Sequence, residues 1–155
     1  MKDPLQTLRD TWDRLKRVPG GRAAFSKLVG NVAPYTGTIS PEVLELERGF
    51  ARVQMRDRRS VRNHLSSIHA IALMNLAEVA SGLAFVYGLP KNTRAILTGL
   101  SIDYVKKARG TLTAECRCDP PDSNARQEVE IEVITTDASG EVVTRARAKW
   151  LVGPL

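Results

Sequence analysis

The stretch from residue 64 to residue 88 constrains the fold of this chain more than any other. Ile68, Ile71, Ala72, Met74, Leu76, Ala77, Val79, Ala80, Leu83 and Phe85 recur at helical spacing and make a helix there apolar on most of its circumference. Such a helix has to be surrounded. A bilayer is the poorer surrounding, because Asn75, Glu78 and Ser81 interrupt the run, and a carboxylate near mid-bilayer costs roughly 2.5–3.5 kcal/mol on insertion scales. The rest of the chain must therefore supply a wrapping, and a sheet curled around the helix is the arrangement expected.

The flanking segments read as strands. From Thr36 to Asp57, VLELERG and FARVQMRDR alternate apolar and polar residues around an Arg48, Gly49 turn. After Pro90 come AILTGLSIDYV, TLTAECRC, QEVEIEVITT and EVVTRARAKWLV, the last two flanking the turn DASG at 137–140. If Thr136 faces Glu141, then Glu132 meets Arg145, Glu130 meets Arg147 and Glu128 meets Lys149, while Val129, Ile131 and Val133 point to the other face. This gives the C-terminal basic residues a structural use. Ahead of the strands, Leu5, Leu8, Trp12 and Leu15 predict an amphipathic helix over residues 4–17, with Asp3 as N-cap and Pro4 at its first position. Pro19, Gly20 and Gly21 end it, a second short helix is expected from Arg22 to Asn31, and PPDSN at 120–124 reads as a turn. The reading is an α+β chain with a helical extension over residues 1–34 and one sheet-and-helix domain over 35–155.

At 155 residues the chain has room for one core. Its 23 Lys and Arg against 17 Asp and Glu give a formal charge of +6, which favours anionic partners without choosing among them. The two cysteines, Cys116 and Cys118, are two residues apart on a strand, where a bridge would be strained. Neither a zinc site nor a disulfide framework is supported, and a reducing compartment is expected. The charged start MKDPLQTLRDTWDRLKR does not resemble a signal peptide, so the expected location is cytoplasmic. Nucleotide hydrolase, serine esterase and DNA-binding readings lose support, because the chain has no glycine-rich phosphate loop, no GxSxG elbow and no recognition-helix pattern.

Two segments carry a resemblance. NHLSSIHAIALMNLAEVASGLAF at 63–85 and LSIDYVKKARGTLTAEC at 100–116 resemble the hotdog-fold acyl-CoA thioesterase superfamily, and within it a group of small bacterial proteins defined by a domain of unknown function and labelled as thioesterases. The resemblance covers about residues 36–153. It implies a hotdog fold, a homodimer or tetramer, and hydrolysis of acyl-CoA or a related thioester with coenzyme A as part of the substrate, without a metal or bound cofactor. A non-catalytic acyl-CoA or acyl-carrier binding protein is the alternative. No membrane span and no nucleic-acid partner are expected.

Thioesterases of this type carry an Asn in the loop before the helix, His-Gly at the helix start and an acidic residue eight positions after that Gly. Asn63, His69 and Glu78 fall at those positions, whereas Ala70 stands in place of the Gly. The resemblance assigns Glu78 as general base or nucleophile, the Ala70 N–H as the donor to the thioester carbonyl, and supporting roles to Asn63 and His69. It places Thr98 near a strand hydroxyl that serves water. Ala70 keeps the N–H and adds a methyl group where the thioester approaches. Glu78 lies nine residues beyond His69, about half a turn around the helix and roughly 13 Å along it, so the two need a second subunit to share a site, as the resemblance implies. Arg56, Arg58, Arg59 and Arg62 before the helix, and Lys106, Lys107 and Arg109 after Tyr104, are candidates to meet the phosphates of coenzyme A.

Overall fold

The computed structural model describes residues 4–155. Three helices come first: α1 (Pro4–Leu15), α2 (Gly21–Val32) and the single turn α3 (Pro34–Gly37). Strands β1 (Glu42–Glu47) and β2 (Phe50–Met55) follow, then a 3-10 turn at Arg59–Val61 and the long helix α4 (Ala70–Gly88). Strands β3 (Thr93–Tyr104), β4 (Leu112–Arg117), β5 (Gln127–Thr136) and β6 (Val142–Pro154) complete the chain. All six strands form one antiparallel sheet in the order β1-β2-β4-β5-β6-β3.

Helix α4 packs on the inner face of this sheet. Leu73, Leu76, Ala77, Val79, Ala80, Leu83, Ala84 and Phe85 are buried, and so are Ala51, Val53 and Met55 of β2, Ala114 and Cys116 of β4, Val133 of β5, and Ala146, Ala148 and Trp150 of β6. The alanines on both sides of the contact let helix and sheet approach closely, while each buried Leu, Val or Phe contributes about 1.5–3 kcal/mol over an exposed one. By length and composition α4 could cross a bilayer, yet most of it is buried inside the protein.

The N-terminal helices are built into the same core. Trp12 is 2% exposed; its Nε1 donates to Leu46 O at 2.9 Å and its ring meets Phe25 edge-on at 4.9 Å. Arg9 donates through Nε to Tyr87 O at 2.7 Å and through its guanidinium to Leu89 O, while Arg48 donates to Gly88 O and, at 2.8 Å, to Pro120 O. The last carbonyls of α4, which have no partners within the helix, are thus satisfied by two cations at its negative end. The Val43 N–H donates to Ser26 Oγ at 2.8 Å, so α2 closes part of the β1 edge. The opposite edge, β3, runs for 12 residues with Ile96 53% exposed.

Three expectations need correction. Helix α4 begins at Ala70 and not at residue 64. Asn63 Oδ1 accepts the N–H groups of Leu65 and Ser67 at 2.9 and 3.2 Å, Asn63 N donates to Ser67 O at 2.8 Å, and Ser66 takes φ 57°, which closes a tight loop that cannot be helical. Ile68 still reaches the core, from the loop. Secondly, strand structure starts at Glu42 rather than near Thr36, because Pro34 opens the α3 turn instead of only ending α2. The Asp3 N-cap lies outside the described residues.

The third correction concerns the β5–β6 register. Asp137 N donates to Glu141 O at 3.0 Å, and the Asp137 carboxylate accepts the N–H groups of Ser139 and Glu141, so the turn closes on three residues instead of four. A bulge next to Thr136 takes up one residue more. The pairing therefore shifts by two, which keeps every side chain on its expected face but changes its neighbour. Glu132 faces Arg147, Glu130 faces Lys149, Glu128 faces Leu151, and Arg145 faces Ile134. Arg147→Glu should place like charges opposite Glu132 and lower stability in chemical denaturation by about 0.2–1 kcal/mol. Adding Glu132→Lys should recover part of that loss, and recovery by Glu130→Lys instead would contradict the observed register.

Candidate active site

The start of α4 is the more elaborate half of the site. His69 is its N-cap, with extended backbone (φ −64°, ψ 140°), and its Nδ1 accepts the Ile71 N–H at 3.0 Å. An accepting Nδ1 leaves the proton of the neutral ring on Nε2. The His69 N–H donates to Val61 O at 2.8 Å, which fixes the cap to the preceding loop. Ala70, half-buried, is the first helical residue; its N–H finds no acceptor among the described residues and stands at the positive end of the helix. Asn63 supports this end from a distance, since its carboxamide oxygen is committed to the loop it closes.

Tyr104, at the end of β3, donates its hydroxyl to Ala70 O at 2.9 Å, and burial raises its phenol pKa. In the sequence Tyr104 is visible only as an aromatic at the end of a strand, ahead of the basic segment KKARG. Ser67, 6% exposed in the loop between Asn63 and His69, has a hydroxyl with no hydrogen-bond partner among the described residues.

Glu78 lies eight residues after Ala70, roughly 12 Å along the axis. It is half-buried between the buried Ala77 and Val79, and its carboxylate makes no hydrogen bond or ion pair among the described residues. Desolvation raises its pKa above the usual carboxylate range. The turn that carries it is held to β6: Ser81 Oγ donates to Glu78 O at 2.8 Å and accepts from Trp150 Nε1 at 3.3 Å. Gly82 keeps the space beside it clear, since a Cβ there would lie 3.4 Å from the Trp150 ring and 4.0 Å from Glu78 Oε1. Thr98 is exposed at a bulge of β3, next to the Leu97–Trp150 pair, and its hydroxyl donates to Lys149 O at 3.2 Å.

The basic candidates separate into two groups. Lys106 is committed to Asp137 at 2.6 Å and to Glu141, which raise its pKa, and Arg62 pairs with Asp57 at 2.6 Å. Arg56 pairs with Glu42 at 2.8 Å, and Arg58 donates to Thr38 O at 2.9 Å. Arg59, Lys107 and Arg109 are exposed and form no ion pair among the described residues. Asp57, which no sequence motif marks, holds the two basic loops together by also accepting the Gly110 N–H at 2.8 Å. Its pKa is lowered, chiefly by the Arg62 bond. The Ala108 carbonyl accepts the Ile68 N–H at 2.8 Å, so the loop bearing Lys107 and Arg109 sits against the segment that leads into α4.

A six-stranded antiparallel sheet around one long helix, with helices ahead of it, is the hotdog fold, and solved structures agree. A structural-genomics protein, APC5556, matches with a TM-score of 0.83 at 31% identity over 96% of this chain and 99% of its own. A probable thioesterase of unknown function from Pseudomonas aeruginosa matches with a TM-score of 0.76 at 22% identity, over 89% of this chain and 97% of its own. A thioesterase from Haemophilus influenzae gives 0.73 at 15% identity, over 86% and 91%. The family model for a domain of unknown function, DUF4442, matches residues 21–152, and the chain belongs to that family. No curated protein matches it in sequence.

Proposed function

We propose that this protein hydrolyses acyl thioesters, with acyl-CoA as the substrate class, at two equivalent sites that each join the α4 start of one subunit to Glu78 of the other. The observation that carries the reading is Glu78, a half-buried carboxylate with raised pKa and no partner among the described residues, on a helix whose first N–H is also without an acceptor there. Naming of several structural neighbours as thioesterases is consistent with it. The two groups lie too far apart on one helix to act on one carbonyl. A two-fold pairing of subunits through the open β3 edge would lay two α4 helices antiparallel and bring them together.

In this arrangement the thioester carbonyl oxygen sits at the Ala70 N–H, where the helix start stabilises negative charge. Glu78 of the facing subunit takes a proton from water, and the water oxygen bonds to the carbonyl carbon. Collapse of the tetrahedral species breaks the C–S bond, releasing the carboxylic acid and a thiolate that recovers the proton. Tyr104 and His69 position the first turn of α4 rather than exchange protons, since one is bonded to Ala70 O and the other caps Ile71. Arg59, Lys107 and Arg109, without ion pairs among the described residues and on loops bonded to the segment before α4, are the cations to meet the phosphates.

Glu78→Gln should leave acyl-CoA binding intact and lower thiol release by at least about a hundredfold, as loss of a positioned base does. The wild-type rate should fall on acidification through a midpoint above the usual carboxylate range, because a raised pKa keeps the base protonated to higher pH. Turnover unchanged by the substitution would assign Glu78 a structural role. Light scattering at micromolar concentration should give at least twice the 17.1 kDa chain mass; a stable monomer would exclude the shared site.

A further inference from the structure

Helix α4 carries one glycine that the fold does not require. Gly21, Gly30 and Gly88 are held by close contacts, since a Cβ would lie 1.8 Å from Leu15 O, 3.1 Å from Gly37 Cα and 2.5 Å from Pro120 Cγ respectively. At Gly82 a Cβ would meet nothing nearer than the Trp150 ring at 3.4 Å, an ordinary van der Waals contact. Glycine inside a helix is less stable than alanine, so an alanine at this position would fit and would strengthen α4. What the glycine supplies is space outside the helix. Ile71, Met74, Glu78, Gly82 and Val86, three or four residues apart, form the face of α4 that the sheet leaves open; Ile71 is 47% exposed and the others are half-buried. Large apolar side chains stop at Met74 on this face and resume at Val86. The step between them lies beside Glu78, whose Oε1 is 4.0 Å from where a Gly82 Cβ would be.

We propose that Gly82 sets acyl specificity by leaving a methyl-sized notch beside Glu78, and that the preferred substrates are acyl thioesters with a methyl branch on the carbon next to the carbonyl. The inference rests on the shared site, and the pairing in that site decides what fills the notch. With Ala70 of one subunit level with Glu78 of the other, antiparallel helices place Gly82, about one turn further on, level with the loop before the facing helix. The facing helix has ended there, so its side chains do not cover the notch. The space lies in front of that helix's first N–H, where the thioester carbonyl is held. Apart from Glu78 the notch is apolar: its floor is Trp150 Cζ2 and Cη2, and the ring's Nε1 is turned to Ser81 Oγ at 3.3 Å. Trp150 is 7% exposed and its ring also packs against Phe85 at 6.1 Å, so the floor is fixed. A straight chain passes the notch without filling it, whereas a methyl branch occupies the volume that the absent Cβ leaves and gains contact with Trp150. In a pocket that fits it, one such group is worth about tenfold or more in kcat/KM.

The test compares isobutyryl-CoA with its straight isomer n-butyryl-CoA, so that branching changes and carbon count does not. Wild-type protein should favour isobutyryl-CoA in kcat/KM, and Gly82→Ala should lower the ratio of the two at least about tenfold. The melting temperature of Gly82→Ala should be unchanged or raised; a lower value would mean that the fold needs the glycine and would overturn the premise. Binding is measured separately by calorimetry, with analogues of both substrates in which a CH2 group replaces the thioester sulfur and hydrolysis cannot occur. The same preference should appear in Kd and be lost in Gly82→Ala. A branched preference in Kd without thiol release from either substrate would end the hydrolysis reading and support the notch. Equal Kd values in the wild type, no binding of either analogue, or a preference that Gly82→Ala leaves unchanged would overturn the proposal. So would a fall of Gly82→Ala to the mass of a single chain, because the notch would then be where a facing helix packs.

Discussion

Helix α4 is apolar around nearly its whole circumference, and most of the fold follows from having to enclose it. The sheet supplies an inner face in which alanines of β2, β4 and β6 alternate with larger residues, so the helix lies close to the strands. α1 and α2 extend the same core, with Trp12 and Phe25 in contact beside it. Enclosure leaves the two ends of the helix with opposite fates. At the C-terminal end Arg9 and Arg48 bond the last carbonyls. At the N-terminal end His69 caps Ile71 and the Ala70 N–H stays free of any acceptor among the described residues. The end with an available donor is the end whose leading segment is bonded to Val61 and Ala108, in the loops that carry Arg59, Lys107 and Arg109.

The same enclosure gives Glu78 its chemistry. A carboxylate on a helix buried in a sheet loses water, and with no cation or donor bonded to it among the described residues its pKa rises. Ser81 and Trp150 lock the turn that carries it, and Gly82 leaves space next to its oxygen. These features suit a group that must meet another molecule in a fixed place.

How far the sequence reveals this depends on the range of the interaction. Periodicity is local, so the six strands, α1, α2 and the buried α4 are all legible in it. The first turn of the long helix is not, because the pattern Leu65, Ile68, Ile71 continues through a loop that Asn63 closes by side-chain bonds. The register of β5 on β6 differs by two residues from the one charge pairing suggests for a related reason: opposite charges meet in both registers, and the choice is made by the Asp137 carboxylate inside the turn. Among the site residues, Glu78 and Ala70 stand out from sequence as an acid in an apolar run and a helix start. Tyr104 and Asp57 do not, since their roles exist only once β3 and the loop at Gly110 have been folded against α4.

The central claim, that each site takes Glu78 from one subunit and the α4 start from the other, is tested most directly by mixing two inactive variants. Glu78→Gln removes the base. Ala70→Pro removes the N–H at the first helical position, where proline is tolerated and the preceding His69 already has the extended backbone that proline requires. Each variant alone should be inactive in thiol release. Co-refolded in equal amounts, half of the dimers should be hybrids with one intact site, restoring up to about a quarter of wild-type activity. A mixture as inactive as its components would contradict the shared site, since both functional groups would then have to come from the same chain.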